Sequence, residues 1–361
     1  MTNNPLRDAE NLGQFIWLDN LSRTLLATGE LDRLIAEDGL SGITSNPAIF
    51  QKAIAESPYY QDDLARLKSS ALSAEARYET LAIADIQSAC DKLHPVFERT
   101  SGDTGYVSLE VSPHLAHDTS ATLAAARNLH ERVGRDNLLI KVPATTAGIQ
   151  AFEELIAEGI NVNVTLMFSL RHQEYVACAY MRGARRWLKK GGNPKRLKSV
   201  ASLFMSRVDT LVDKKLEAIG TPEALALRGL SAVALGKLAY RQYLSLFHST
   251  CFADLEGAGI RPQFPLWAST GVKNPAYRDV LYLEPLIGPE TINTLPDATL
   301  AAFREHGIAA NTVGEGIEAA KRQAESLASL GIDLNAVGEQ LQTEGITLFV
   351  QAYDKLLTLM R

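Results

Sequence analysis

Short apolar runs alternate with longer amphipathic stretches along the whole chain. The short runs are rich in β-branched residues and are bounded by turn formers, so they read as strands. They fall at 15–20, 42–46, 107–112, 138–144, 160–168, 199–207, 265–270 and 282–288. Helical patterns fill the gaps, several with recognisable ends. Ser57-Pro58 and Thr221-Pro222 each set a capping hydroxyl before a proline at the first helical position. Ile317, Ala320, Ala324, Leu327 and Leu330 lie on one stripe, which stops at Gly331.

Strands alternating with helices are the pattern of a parallel sheet with crossover helices. Eight such units predict an α/β fold of the TIM (β/α)8 barrel type with additional helices. An open doubly wound sheet more often shows a glycine-rich first turn, and neither GxGxxG nor GxxxxGK[ST] occurs. Three segments exceed the minimal barrel: helical insertions near 51–106 and 208–264, and a C-terminal helical tail at 333–361. The tail reads as one or two helices, with Gly345 weakening continuity. None of the three has the composition of a linker, so residues 1–361 are expected to form a single domain.

Side chains alternate faces along a strand, so the inward set can be read by parity. Ser108, Glu110 and Ser112 share one face of the third strand, and Asn163 and Thr165 share one face of the fifth. Lys141 stands in the middle of the apolar run Leu-Leu-Ile-Lys-Val-Pro. Asp19 ends the first strand, and Thr44-Ser45-Asn46-Pro47 ends the second. Barrel interiors are ordinarily filled by branched apolar side chains. Here successive strands carry polar residues toward their carboxyl ends, and buried polar groups require partners or a ligand. A lysine in such a run either pairs with a carboxylate or is held as a free amine, a nucleophile toward ketones and aldehydes.

The chain resembles the transaldolase family over nearly its whole length. The resemblance rests on Asp19 after Phe-Ile-Trp-Leu, Thr-Ser-Asn-Pro at 44–47, Ser-Leu-Glu-Val-Ser around Glu110, and Leu-Ile-Lys-Val-Pro around Lys141. It continues through Asn-Val-Thr-Leu-Met-Phe-Ser at 163–169, Ser202, Arg207 and Trp-Ala-Ser-Thr at 267–270. It implies transfer of a dihydroxyacetone unit from a ketose phosphate to an aldose phosphate in the non-oxidative pentose phosphate pathway. The implied mechanism is a Schiff base on Lys141, without metal or organic cofactor. Glu110 and Thr165 are implied to handle the water of imine formation and hydrolysis, and Asp19 the C4 hydroxyl proton. Asn46, Asn163 and Ser202 are implied to hold substrate hydroxyls, and Arg207 and Ser269 the phosphate. Where shorter transaldolases have an arginine soon after that serine, this chain has Lys273, which either replaces it or stands in solvent.

Two rival functions remain at this level: a Schiff-base aldolase that releases free dihydroxyacetone, and an inactive barrel that only binds. The pairing of Lys141 with two acids disfavours the second. A net charge of −6 disfavours nucleic acid as a partner without excluding a local phosphate pocket. Cys90, Cys178 and Cys251 form no CxxC pair, and neither a signal-peptide plan nor a spanning apolar run is found. The expected setting is therefore cytoplasmic, with sugar phosphates as partners, no membrane, and a monomer or homodimer. His114 and His117 lack further ligands nearby, so no metal site is expected. The basic run from Arg185 to Lys198 is read as a solvated helix end and loop rather than a nucleic-acid site.

Overall fold

A computed structural model describes residues 4–361. Eight parallel strands close into a barrel in chain order. They are β1 (Gln14–Leu18), β2 (Gly42–Thr44), β3 (Tyr106–Glu110), β4 (Leu138–Pro143), β5 (Val162–Met167), β6 (Ser199–Phe204), β7 (Phe264–Ala268) and β8 (Thr291–Leu295). Closure runs from Gln14 opposite Thr291 to Leu18 opposite Leu295. The fold is the expected TIM (β/α)8 barrel with extra helices.

The eighth strand is not where the apolar run at 282–288 placed it. That run turns through a short 3-10 helix, Glu284–Leu286, and the strand follows at Thr291–Leu295. The ladder partners of β1 and β7 come from Thr291–Leu295 instead, with Leu266 and Trp267 opposite Ile292 and Asn293. The run's apolar residues Tyr282, Leu283, Leu286 and Ile287 are buried as packing. The Leu286 carbonyl accepts from Gln14 Nε2 at 2.7 Å and Trp267 Nε1 at 3.0 Å, which ties the turn to β1 and β7. β6 is shorter than the pattern at 199–207 predicts. It stops at Phe204, so Arg207 lies in the first turn of the helix Ser206–Ile219 rather than on the strand.

The insertions are helical. Pro47–Glu56, Gln61–Lys68 and Ala74–Arg99 occupy the first, while Pro222–Leu225, Ser231–Phe247 and Ala253–Gly257 lie in the second. The tail is one unbroken helix, Leu334–Leu359, in spite of Gly345. Gly345 is there for approach. A Cβ on it would stand 3.0 Å from Leu166 Cδ2 and 3.5 Å from the Arg207 guanidinium, and one on Gly338 would stand 2.8 Å from Ser169 Cβ. Small residues on this face let the helix lie directly over the carboxyl ends of the strands. Polar contacts pin it along its length: Glu339 to His172 at 3.2 Å, Tyr353 to Glu75 at 2.7 Å and Asp354 to His114 at 2.8 Å.

Candidate active site

Strand register sets the first layer of the site. Glu110 pairs with Lys141, Lys141 with Asn163, and Pro143 with Thr165. Three neighbouring strands therefore present these polar side chains at adjacent heights inside the barrel, as the parity reading expected. Lys141 is 4% exposed, and its Nζ lies 3.8 Å from Glu110 Oε2 and donates to the Ser45 carbonyl at 3.3 Å. Asn163 is fixed at both ends of its amide. Its Nδ2 donates to Ser108 Oγ at 3.1 Å, and its Oδ1 accepts from Ser202 Oγ at 2.7 Å.

Asp19 follows β1 and is partly buried. Thr44 Oγ donates to its Oδ1 at 2.7 Å, and Thr44 also meets Thr294 at 2.7 Å. Asn46 caps the helix Pro47–Glu56 with its side-chain oxygen, accepting from the N–H groups of Ala48 and Ile49. Its amide NH2 is not used by that cap, and the residue lines the same cavity as Asp19 and Lys141.

Two protein atoms in this layer are buried without a hydrogen-bond partner, Glu110 Oε2 and Thr165 Oγ. Native interiors rarely leave such groups unpaired, and in a polar cavity a ligand, a reacting group or a water is the partner such atoms call for. Burial pushes the Glu110 carboxyl up to about 7; Lys141 pulls it back and Asp19 adds to the rise. A carboxyl titrating there can both give and take a proton near neutrality. Asp19 is also raised, first by burial, with the charge of Lys141 and the Thr44 hydrogen bond opposing.

A basic pole stands across the cavity from the acids. Arg207 lies near the rings of Phe204 and Phe349, with its Cζ 5.8 and 5.9 Å from their centroids. Burial lowers its pKa, and Glu344 is the acidic group whose charge opposes this. The helix Ser206–Ile219 has no capping side chain at Met205, and its Ser206 N–H donates to the Ser269 carbonyl at 3.0 Å. Ser269, in the left-handed region at φ 53°, sets its hydroxyl 3.0 Å from that of Ser206. Lys273 is exposed on the loop beyond and does not line this cavity, although its charge reaches Asp19 weakly.

Thr44, part of the motif at 44–47 but given no role there, lines the cavity, as do Phe349 and Thr294, which the sequence pattern did not single out. Thr294 sits on the strand that the apolar pattern misplaced. Phe349 arrives from the far end of the chain, 6.0 Å from Lys141 Nζ to ring centroid. The sequence pattern of the tail predicts helix there but not what the helix covers.

The histidine pair and the basic run resolve differently. His114 is bonded to Asp354, and no cluster of three or more potential metal ligands occurs among the described residues. Arg185, Arg186 and Arg196 are tied to Asp254, Glu154 and Asp136, the structural roles expected of a solvated surface. Lys198 departs from that expectation: it is fully buried, with Nζ 3.7 Å from the centroid of Phe264. Its strand parity turns it into the amino end of the barrel rather than into solvent. No helix among the described residues is long and apolar enough to cross a membrane.

Residues 16–360 match the family described as Transaldolase/Fructose-6-phosphate aldolase. A transaldolase of Thiobacillus denitrificans is 55% identical over 354 residues, covering 98% of this chain and 99% of its own. A transaldolase of Neisseria gonorrhoeae is 47% identical, with 98% of each chain covered. A protein of Nostoc sp. named Transaldolase 2 is 43% identical over 99% of this chain and 97% of its own. With a match of this extent around an amine, two acids and an unpaired guanidinium, the chain belongs to the transaldolase/fructose-6-phosphate aldolase family and is a transaldolase of it.

Proposed function

We propose that the chain moves a dihydroxyacetone unit from a ketose phosphate, sedoheptulose 7-phosphate or fructose 6-phosphate, to an aldose phosphate, glyceraldehyde 3-phosphate or erythrose 4-phosphate. This places it in the non-oxidative pentose phosphate pathway. The observation that carries the reading is the buried Lys141 beside a carboxyl that titrates near neutrality and has an unpaired oxygen.

The Lys141 amine attacks the C2 ketone. The carbinolamine loses its hydroxyl as water, with a proton from Glu110, to give the iminium. Asp19 takes the proton from the C4 hydroxyl, the C3–C4 bond breaks, and its electron pair flows into the iminium to leave an enamine on Lys141. The first aldose phosphate departs. C3 of the enamine then attacks the aldehyde of the acceptor, and Asp19 returns its proton to the new hydroxyl. Water, activated by Glu110 and held by Thr165, hydrolyses the iminium and frees Lys141.

Asn163 and Ser202 form one hydrogen-bonded unit and, with Asn46, hold the hydroxyls of the three-carbon piece. Arg207 and Ser269 hold the phosphate, where a guanidinium beside a helix N-terminus suits the dianion. The described residues, 4–361, act as one domain, since the terminal helix supplies Phe349 to a site otherwise built on the barrel.

A coupled assay with fructose 6-phosphate and erythrose 4-phosphate tests the reading. Sedoheptulose 7-phosphate and glyceraldehyde 3-phosphate are the expected products. Free dihydroxyacetone as the main three-carbon product would instead make the chain an aldolase.

A further inference from the structure

The terminal helix makes one buried polar contact that its own anchoring does not require. Gln342 is 9% exposed, and its Nε2 donates to the carbonyls of Ala144 at 2.9 Å and Leu166 at 3.1 Å. These carbonyls lie one residue beyond Pro143 and Thr165, the last partnered pair of β4 and β5. The Ala144 N–H still donates to the Thr165 carbonyl at 2.8 Å, so the ladder ends there.

The backbone turns abnormal at the next residue. Leu166 has φ 57°, and the register between β5 and β6 shifts between Val164 and Met167. A leucine enters the left-handed region at a cost and persists there only when its surroundings hold it. Two features of the terminal helix do so. Gln342 takes the Leu166 carbonyl that the bulge turns out of the ladder, and Gly345 leaves room for the Leu166 side chain. Thr165, whose buried hydroxyl has no protein partner, adjoins Leu166 within this shifted stretch.

The geometry points to Gln342 as a positioning residue: by clamping the ends of β4 and β5 across the bulge, it aims the Thr165 hydroxyl for the hydration steps of the Schiff base. This rests on the reading of Thr165 given above. Gln342 touches no substrate and acts only through the strand ends. A side chain that merely fastened the helix would matter equally to every step. One that sets Thr165 matters to imine formation and hydrolysis and little to carbon–carbon cleavage or phosphate binding.

The test compares Gln342→Met, which keeps the bulk and loses both donors, with Tyr353→Phe, which removes the bond to Glu75 from the same helix without touching β4 or β5. Gln342→Asn, an amide too short to reach both carbonyls, stands in if the methionine variant does not fold. Borohydride trapping with fructose 6-phosphate on a rapid-quench time scale reads imine formation. Gln342→Met is expected to slow it by ~10–100-fold, the usual scale for a misplaced group, with KM nearly unchanged. Tyr353→Phe is expected to lower Tm and leave the trapping rate alone. In a Thr165→Val background, Gln342→Met should add little further loss. A parental trapping rate in Gln342→Met, or full multiplication of its effect by Thr165→Val, overturns the assignment. If Thr165→Val itself traps at the parental rate, the reading of Thr165 falls instead, whatever Gln342→Met does.

Discussion

Lys141 Nζ stands 3.8 Å from Glu110 Oε2, inside the range of charge attraction and outside that of a hydrogen bond. The amine is therefore steadied by the acid without being consumed by it, and it donates a hydrogen bond to the Ser45 carbonyl at 3.3 Å. Lys141 is thus expected to be the covalent residue. Borohydride added with fructose 6-phosphate should inactivate the enzyme irreversibly, and peptide mapping should find the three-carbon adduct within Leu-Ile-Lys-Val-Pro. Lys141→Arg keeps the charge, but a guanidinium does not give up its proton to become the attacking amine. That variant should fold and be inactive. An adduct on another lysine would refute the assignment.

Glu110 makes a prediction about pH. Its carboxyl is raised to about 7 from an ordinary 4.5, so between these values the folded state holds a proton that the unfolded state has lost. Stability contributed by this group therefore falls as pH rises through that window. Glu110→Gln removes a buried anion and should melt above the parent once the pH exceeds 7, the gap closing as pH falls toward 4.5. The same variant should lose ~10²–10⁴-fold in imine formation and hydrolysis. Melting curves across pH, with trapping rates on the same samples, check both. A melting difference independent of pH would mean that the carboxyl is not raised.

Asp19 should fail at another step. It is held by Thr44 at the end of β2, whereas Glu110 faces Lys141 from β3, and its proposed work begins after the imine exists. Asp19→Asn is expected to form the imine with fructose 6-phosphate and cleave it slowly, so that trapped adduct accumulates relative to turnover. Equal ratios of adduct to turnover in Asp19→Asn and Glu110→Gln would end this division of labour.

Arg207 and Lys273 separate on geometry. Arg207 faces the cavity near two rings, while Lys273 is exposed on its loop. Removing a charge-assisted hydrogen bond costs about 1.5–3 kcal/mol, so Arg207→Ala should raise KM for phosphorylated sugars roughly 10–150-fold. Lys273→Ala should leave KM within error. Steady-state kinetics with fructose 6-phosphate decide both, and a large effect at Lys273 alone would move the phosphate to the loop.

Much of this site was legible in the sequence because a strand's two-residue period is a rule about faces. Glu110, Lys141, Asn163 and Thr165 could be set inside the barrel from parity alone, and the register brings them together. What parity does not give is where a strand begins when an apolar run has another reason to be buried. The segment around Pro285 packs as a turn and hid β8, and with it Thr294. Nor does local pattern say which distant surface covers a mouth. Gly338, Gln342, Gly345 and Phe349 follow helical spacing, but their meaning depends on the strand ends beneath them. The basic neighbours of Lys198 predict a solvated side chain, whereas its place at the start of β6 turns it inward.

Lys198 gives the last prediction, away from the site. Its Nζ is buried without a hydrogen-bond partner, against the Phe264 ring. Burial lowers it to about 7 from 10.5; the charges of Asp103 and Glu290 oppose the fall and Arg261 adds to it. Between those values the unfolded chain holds a proton that the folded one lacks, so stability rises with pH across this window. Below about 7 both states are charged, and the full cost of burying the ammonium is present. Lys198→Met fills the same space without a charge. It should therefore melt above the parent at neutral and acidic pH, with the advantage shrinking toward pH 10.5. Because Lys198 enters at the amino end of β6, and Ser202 and Arg207 lie at and beyond the other end, turnover should be unaffected. A variant that melts below the parent at every pH would show that the ring contact outweighs the charge.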